Sequence, residues 1–314
     1  MNADQRLRQR AHEQGGAFTR QDALSVGFTA AQVRHRLARG VWVGRKRGVY
    51  LVADEFEAAS PSCRVRLLAS AATLAHPGAL ASHQTAAALH GLPLLAAEDS
   101  RVHLTRAGWP RKPWYLGDVV VHAAGEPAPP TYRQHVPCTA PARTVVDVAR
   151  WSSPLGGLVA ADHALRMKMV RADELSAVLE AQARWPWAER AERVLRLASP
   201  LSESPGESFS RLFFAERGIE QPRQQVELHR RDGRLVARVD FLWPADGVVG
   251  EFDGMGKYDS PDALRAEKIR QEEIESLGHA VVRWTWADLE HRPGATAARI
   301  ERVRRRHARY RSTA

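Results

Sequence analysis

Two short apolar runs, Arg238-Val-Asp-Phe-Leu242 and Val248-Val-Gly-Glu-Phe-Asp-Gly254, flank the turn Pro244-Ala-Asp-Gly247, and this pattern constrains the chain more than any other. β-forming runs on either side of an Asp-Gly turn predict a hairpin centred between Ala245 and Asp246. That register sets Asp240 opposite Glu251. Cβ atoms of such partners lie about 5 Å apart, and like charges there repel unless something positive lies between them. Side chains alternate along a strand, so Asp253 shares the face of Glu251, and the three acids make an oxygen-rich cluster suited to Mg²⁺ or Mn²⁺. The same register sets Arg238 opposite Asp253, so a plain cross-strand ion pair on an exposed hairpin is the competing expectation.

Which partner such a cluster serves depends on charge. The 314 residues carry 46 Lys and Arg against 36 Asp and Glu, a formal net charge of +10. That balance favours a polyanion such as DNA, and the planar guanidinium fork suits phosphate. Cys63 and Cys138 are too few for a disulfide framework or a thiolate zinc site, which fits a reducing cytoplasm. No long apolar stretch opens the chain, so neither a signal peptide nor a membrane anchor is expected.

The length accommodates two or three domains, and the pattern predicts an α+β multidomain protein built from α/β pieces. Residues 1–58 read as a winged helix-turn-helix. A helical run over Gln5–Gln14 ends at Gly15-Gly16, Thr19-Arg-Gln-Asp22 starts a second helix, and the capping-box pattern Thr29-Ala-Ala-Gln32 starts a third, with Val33 and Leu37 as its apolar stripe. Two β runs follow around a basic glycine turn. The third helix would present Gln32, Arg34, His35, Arg36 and Arg39 to a major groove, and Arg45, Lys46 and Arg47 would form the wing tip.

Residues 59–185 form a middle α/β segment rich in Ala and Val. Ala81-Ser-His-Gln-Thr-Ala-Ala-Ala-Leu-His-Gly91 predicts a helix ended by its glycine, and Val102-His-Leu-Thr105 and Val119-Val-Val-His122 predict strands. Ser82, His83 and His90 lie near no evident acid or nucleophile motif and are expected as packing or capping residues. Residues 186–203, ending in the Ser/Pro-rich Leu197-Ala-Ser-Pro-Leu-Ser-Glu203, are expected as a linker.

Residues 204–314 predict the order α-β-β-β-α-β. A helix from Glu207 to Arg217 closes at Gly218; strands follow over 224–229, 235–242 and 248–253; Ser260-Pro261 starts a helix running to Gly278; and Ala280–Thr285 forms the last strand. A turn at Asp232-Gly233 sets Gln225 opposite Asp240. Arg299, Arg302, Arg304, Arg305, Arg306, Arg309 and Arg311 crowd the final helical run and offer either phosphate contacts or a solvated basic surface.

This order, with its acid on the first helix, Asp in the second strand and Glu-x-acid in the third, resembles the PD-(D/E)XK restriction-endonuclease fold. Arg238-Val-Asp-Phe, Gly250-Glu-Phe-Asp-Gly254, Lys257-Tyr258, Glu267-Lys-Ile-Arg270 and Gly278-His-Ala-Val-Val-Arg-Trp-Thr285 are more closely similar to a domain family of unknown function related to very-short-patch repair endonucleases. The N-terminal helix-and-wing pattern, with Ser82-His-Gln-Thr-Ala-Ala-Ala-Leu-His-Gly-Leu92, resembles AbiEi-type antitoxins, whose winged helix represses a promoter.

The nuclease resemblance implies Mg²⁺- or Mn²⁺-dependent cleavage of DNA, with Asp240 and Glu251 as metal ligands and Glu207 as a further ligand or water contact. Where the family pattern has a lysine two residues after the glutamate, this chain has Asp253. Lys257 or Lys268 would then supply the missing cation, with Asp253 free to bind a second metal or orient a water, and Gln225 lies on the same face. The antitoxin resemblance implies instead a promoter-binding regulator whose nuclease-like domain is inert, with a toxin protein as partner, whereas double-strand cleavage by the nuclease would call for a second copy of the chain.

Overall fold

The structure is a computed structural model that describes residues 1–95, 100–108, 112–124, 129–254 and 261–313. The chain divides into two compact units, one comprising residues 1–160 and 168–193, the other residues 161–167 and 194–314.

The first unit opens with helix α1 (Ala3–Glu13), strand β1 (Phe18–Thr19), helices α2 (Arg20–Ser25) and α3 (Ala30–Ala38), and strands β2 (Trp42–Lys46) and β3 (Val49–Val52). The capping residues are where the sequence puts them. The Thr19 side chain accepts from Asp22 N while the Asp22 side chain accepts from Thr19 N, and Thr29 and Gln32 repeat the arrangement. Trp42 meets Phe18 and Phe28 edge-on, with centroids 4.9 and 5.2 Å apart, over a core that includes Leu7, Val33 and Tyr50. Strand order β1-β3-β2 completes a three-helix unit with a β wing.

Helices α4 (Ala53–Glu57) and α5 (Pro61–Ala75) lead to a mixed six-stranded sheet. It is built from β4 (Ala79–Ala81), β5 (Val102–Ala107), β6 (Trp114–Leu116), β7 (Val119–Ala124), β8 (Thr131–Arg133) and β9 (Val136–Cys138), in the order β6-β7-β5-β4-β9-β8. Helix α6 (His83–His90) follows β4, and α7 (Pro141–Trp151), α8 (Pro154–Arg166) and α9 (Ala172–Ala181) follow the sheet. Leu104, Val102, Val119 and Val121 face one core, so the odd-and-even alternation of β5 and β7 turns His103, Thr105, Val120 and His122 to the other side.

The stretch 186–203 is not a flexible linker. It contains helix α10 (Ala188–Leu197), and the Ser-rich run after it is tied into the second unit. Ser199 N donates to Asp162 Oδ1 (2.7 Å), Ser208 Oγ donates to Asp162 Oδ2 (2.8 Å), and Arg211 Nη1 lies 3.3 Å from the same carboxylate. Serine reads as linker by composition, yet its hydroxyl and amide are also what a buried carboxylate needs. Burial pushes the Asp162 carboxyl above the usual range, with Arg211 and the serine hydrogen bonds opposing it.

The rest of the second unit runs α11 (Pro205–Arg217), β10 (Arg223–His229), β11 (Leu235–Trp243), β12 (Val248–Phe252), α12 (Pro261–Ser276), β13 (Ala280–Trp284), α13 (Trp286–His291) and α14 (Pro293–Thr313). The sheet order is β10-β11-β12-β13, antiparallel except for the parallel pair β12–β13. One face packs Phe241, Trp243 and Trp284 against Phe213 and Phe214 of α11 and Ile300 of α14. The other packs Val239, Leu242 and Val249 against Ile274 of α12. Gly250 is required here, since a Cβ on it would lie 2.5 Å from the Trp284 ring and 3.0 Å from that of Trp243.

Candidate active site

The pairs Phe241↔Gly250, Leu242↔Val249 and Trp243↔Val248 fix the register of β11 on β12, and its continuation sets Asp240 opposite Glu251. On the other edge of β11, Gln224↔Phe241 and Val226↔Val239 bracket a rung formed by Gln225 and Asp240. Simple alternation fails at that rung. Val239 and Leu242 pack into the same core while Phe241 lies in the opposite one, and Gln225 has φ +49°, in the left-handed region. The strands are kinked where the acids converge.

Around the kink is a cavity of about 540 Å³ lined, among the described residues, by six carboxylates, those of Glu203, Glu207, Asp240, Glu251, Asp253 and Glu267, and by three guanidinium groups, those of Arg238, Arg270 and Arg283. Each acid is aimed by local chemistry. Ser204 caps α11 with Pro205 behind it. Its hydroxyl accepts from Glu207 N and donates to Glu207 Oε1 (2.8 Å), while Glu207 Oε2 accepts from Glu203 N (3.0 Å) and Gln225 Nε2 (2.9 Å). Gln225 is therefore a strut for Glu207. Asp240 Oδ2 accepts from Phe252 N (2.9 Å), locking one carboxylate oxygen to β12. Asp253 N donates to Trp284 O (2.8 Å), which places Asp253 at the rim of the same cavity.

Glu251 is buried and bracketed by two arginines. Arg283 Nε donates to Oε2 (3.1 Å), and Arg270 Nη2 lies 2.6 Å from Oε1 but off the line of a hydrogen bond, so Oε1 accepts none among the described residues. Arg283 is held in turn by Gln271 Oε1 (2.8 Å) and by Glu267, and Arg270 Nη2 donates to Arg238 O (3.1 Å). Burial disfavours the Arg270 charge, but Glu251, Glu267 and Asp240 outweigh it and hold the guanidinium above its ordinary range. Hard oxygen donors suit Mg²⁺ or Mn²⁺, and among the described residues the surplus of acids over arginines favours a cation. The donor set fits such an ion through Asp240 and Glu251, with Asp253 at the rim.

Several expected residues stand elsewhere. Arg238 pairs with Glu203 (2.8 Å) rather than with Asp253. Lys268 is exposed, 3.9 Å from Glu272, because the face of α12 that meets the cavity carries Glu267 and Arg270, and a neighbour one residue along a helix turns about 100° away. Lys257 lies outside the described residues. The cavity cations Arg270 and Arg283 come from α12 and β13; Arg270 stands i,i+3 from Glu267, and the parallel rung Glu251↔Arg283 sets Arg283 beside Glu251.

In the N-terminal unit, Arg34, His35, Arg39 and Arg47 are exposed, and Gln32 is exposed with its side-chain oxygen capping Thr29 N (2.8 Å). Arg36 is turned inward, pairing with Asp4 (2.9 Å) and lying over the rings of Phe28 and Trp42 at 4.8 and 5.3 Å. Arg45 stacks on Phe56 at 3.9 Å, and Lys46 pairs with Asp118. The wing tip thus offers Arg47, while its other two cations hold the fold together. The final helix behaves likewise. Arg304 is buried against Asp246 (2.6 Å), Glu220 (2.7 Å) and the Trp243 ring, and Arg299 and Arg311 donate to the Arg283 and Pro244 carbonyls. Arg302, Arg305, Arg306 and Arg309 remain on the surface.

No protein-family model matches the chain. Two uncharacterised proteins of Mycobacterium tuberculosis, MT2308 of strain CDC 1551 / Oshkosh and Rv2248 of strain ATCC 25618 / H37Rv, are each 33% identical to it over 165 residues. The match covers 52% of this chain and 60% of either relative, so the chain spans less than two thirds of the relatives' length. Among solved structures, the crystal structure of the RV2827C protein from Mycobacterium tuberculosis aligns with 73% of this chain and 88% of its own, at 17% identity and a TM-score of 0.40. Among the described residues, no helix is long and apolar enough to cross a membrane.

Proposed function

We propose that this protein binds DNA through α3 and hydrolyses phosphodiester bonds in the carboxylate cavity of its second unit, assisted by Mg²⁺ or Mn²⁺. The observation that carries this reading is the convergence of Asp240 and Glu251 in one cavity, where among the described residues the acids outnumber the arginines six to three. A like-charged pair held that way is costly without positive charge; Arg270 and Arg283 supply it to Glu251, and a bound ion would supply it between Glu251 and Asp240.

Asp240 and Glu251 would hold the ion, which when bound acidifies a water and relieves charge on the phosphate. The chain's own groups account for the rest. Asp240, fixed by Phe252 N, is rigid where positioning matters. Arg270, in contact with Glu251 and above its ordinary proton affinity, is the cation that the cavity offers a phosphate oxygen in place of the lysine replaced by Asp253. Glu207 and its strut Gln225 fix the wall opposite α12, and Arg34, His35 and Arg39 would supply groove and phosphate contacts.

One observation favours a second reading. Arg270 and Arg283 both lie against Glu251, and such neutralisation suits a cavity that no longer turns over, in a cytoplasmic promoter-binding regulator similar to AbiEi-type antitoxins with a toxin protein as partner. Nicking of supercoiled plasmid in Mg²⁺ or Mn²⁺ separates the two. On the nuclease reading, Asp240→Ala and Glu251→Ala each abolish nicking while operator-length DNA is still bound. Wild-type protein that binds DNA tightly and cuts no duplex, mismatched or single-stranded substrate overturns it in favour of the regulator.

A further inference from the structure

Three histidines from separate elements of the first unit meet in its interior. His83 opens α6 directly after β4, His103 lies in β5 and His122 in β7, and all are buried, at 3%, 0% and 6% exposure. Candidate ligand nitrogens of the three lie within 4.8 Å of one another, with His103 Nδ1 and His122 Nε2 2.9 Å apart. His83 Nδ1 is hydrogen-bonded to Ser82 Oγ (2.9 Å), which leaves Nε2 for another partner and resembles the outer hydrogen bond that orients ligating imidazoles. Trp151 closes the cluster, its ring edge-on to His122 at 4.6 Å.

This grouping is expensive. His83 holds φ +49°, a conformation that costs a residue with a side chain free energy and persists only where the surroundings impose it. Burying polar nitrogens among Val, Ala and Leu also costs more than burying apolar side chains of the same size. Thr105 Oγ1, two residues from His103 on the same face and level with His122, is buried without a hydrogen-bond partner. Asp147 brings no free charge, since its carboxylate is spent on Arg143 (2.6 Å) and Arg150 (2.9 Å).

We propose that His83, His103 and His122 form a binding site for a divalent transition-metal ion of the zinc class, with the Thr105 hydroxyl hydrogen-bonded to a water in the fourth position. Imidazole nitrogens select Zn²⁺ or Co²⁺ over Mg²⁺, which separates this site chemically from the carboxylate cavity. A tetrahedral ion bonded at about 2.0–2.1 Å keeps its nitrogens roughly 3.3 Å apart, so the His103–His122 gap need open by only about 0.4 Å. The His83 ring, stacked on His122 with centroids 3.7 Å apart, turns about its own side-chain bonds to aim Nε2 at the same point. The neutral imidazole ring is the ligating form.

The test is metal stoichiometry on the full-length chain. Chelator-stripped protein incubated with Zn²⁺ and passed through gel filtration should retain about one equivalent, and Co²⁺ should give the intense visible absorption of a four-coordinate nitrogen-rich site. His83→Gln and His122→Gln should lose both signals, whereas Asp240→Ala should keep them. A wild-type protein that retains no Zn²⁺ and leaves Co²⁺ with the spectrum of the hexaaquo ion overturns the proposal without any variant, and identifies the cluster as a hydrogen-bonded histidine chain. Stoichiometric binding that survives both histidine substitutions with an unchanged cobalt spectrum overturns it as well.

Discussion

Arg270 holds a position that Lys268, two residues earlier on the same helix, does not. Its guanidinium touches Glu251 and donates to the Arg238 carbonyl, so it bridges α12 to both strands that carry the acids. Arg270→Lys keeps the charge but loses the second donor. It should lower the nicking rate by about 10-fold or more with metal affinity little changed, and Arg270→Ala should cost further, as single-turnover rates would show. Asp22 offers a test in the other unit. Burial raises its carboxyl affinity for a proton, but hydrogen bonds from Thr19, Gln14 and Arg10 outweigh that and hold it below the usual carboxylate range. Its contribution to stability is therefore present above the ordinary aspartate range and lost as pH falls through the lowered value. The Tm deficit of Asp22→Asn should be largest near neutral pH and shrink as pH falls below the ordinary aspartate range, and a deficit independent of pH would refute the linkage.

Among elements, the β11–β12 hairpin was the most legible, because the centre of a turn and the two-residue period together set the register, seen in Phe241↔Gly250, Leu242↔Val249 and Trp243↔Val248. The kink at the same rung was not legible, since the switch of core between Val239 and Phe241 depends on which helix covers each face. Arg283 was hidden for a related reason: it reaches Glu251 only because β13 runs parallel beside β12, a pairing made across 32 residues. The wing misled through the opposite error. Arg45 and Lys46 look solvated in a basic turn, yet Phe56 and Asp118 claim them. The three histidines were each readable as a core position of a helix or strand, and nothing in their separate patterns announces that the positions coincide. Two substitutions test the elements. Ser204→Ala removes the α11 cap and should cost about 0.5–2 kcal/mol in denaturant unfolding, with Glu207 released from its Oε1 partner. Gly250→Ala drives a methyl into two indole rings and should cost about 1–3 kcal/mol, accompanied by a shift in tryptophan fluorescence.

At the scale of the molecule, the chain crosses between its two units three times, because residues 161–167, the end of α8 and the residue after it, belong with the C-terminal unit while the residues on either side do not. Asp162 sits in that short segment and is the buried partner of Arg211, Ser199 and Ser208. Asp162→Ala leaves a buried guanidinium uncompensated and should destabilise the C-terminal unit by about 3–5 kcal/mol, which Trp243 and Trp284 fluorescence would report during urea unfolding. A fragment beginning at residue 204 lacks the same carboxylate and should melt well below the full-length chain.

That borrowed segment also bears on how such a protein evolves. A recombination event that carries off residues 204–314 takes the whole carboxylate cavity except Glu203 yet abandons the group that neutralises Arg211, so the gene segment that moves as a working cassette has to reach back into α8. Inheritance of the carboxylate cavity is thereby tied to inheritance of the α8 segment that carries Asp162.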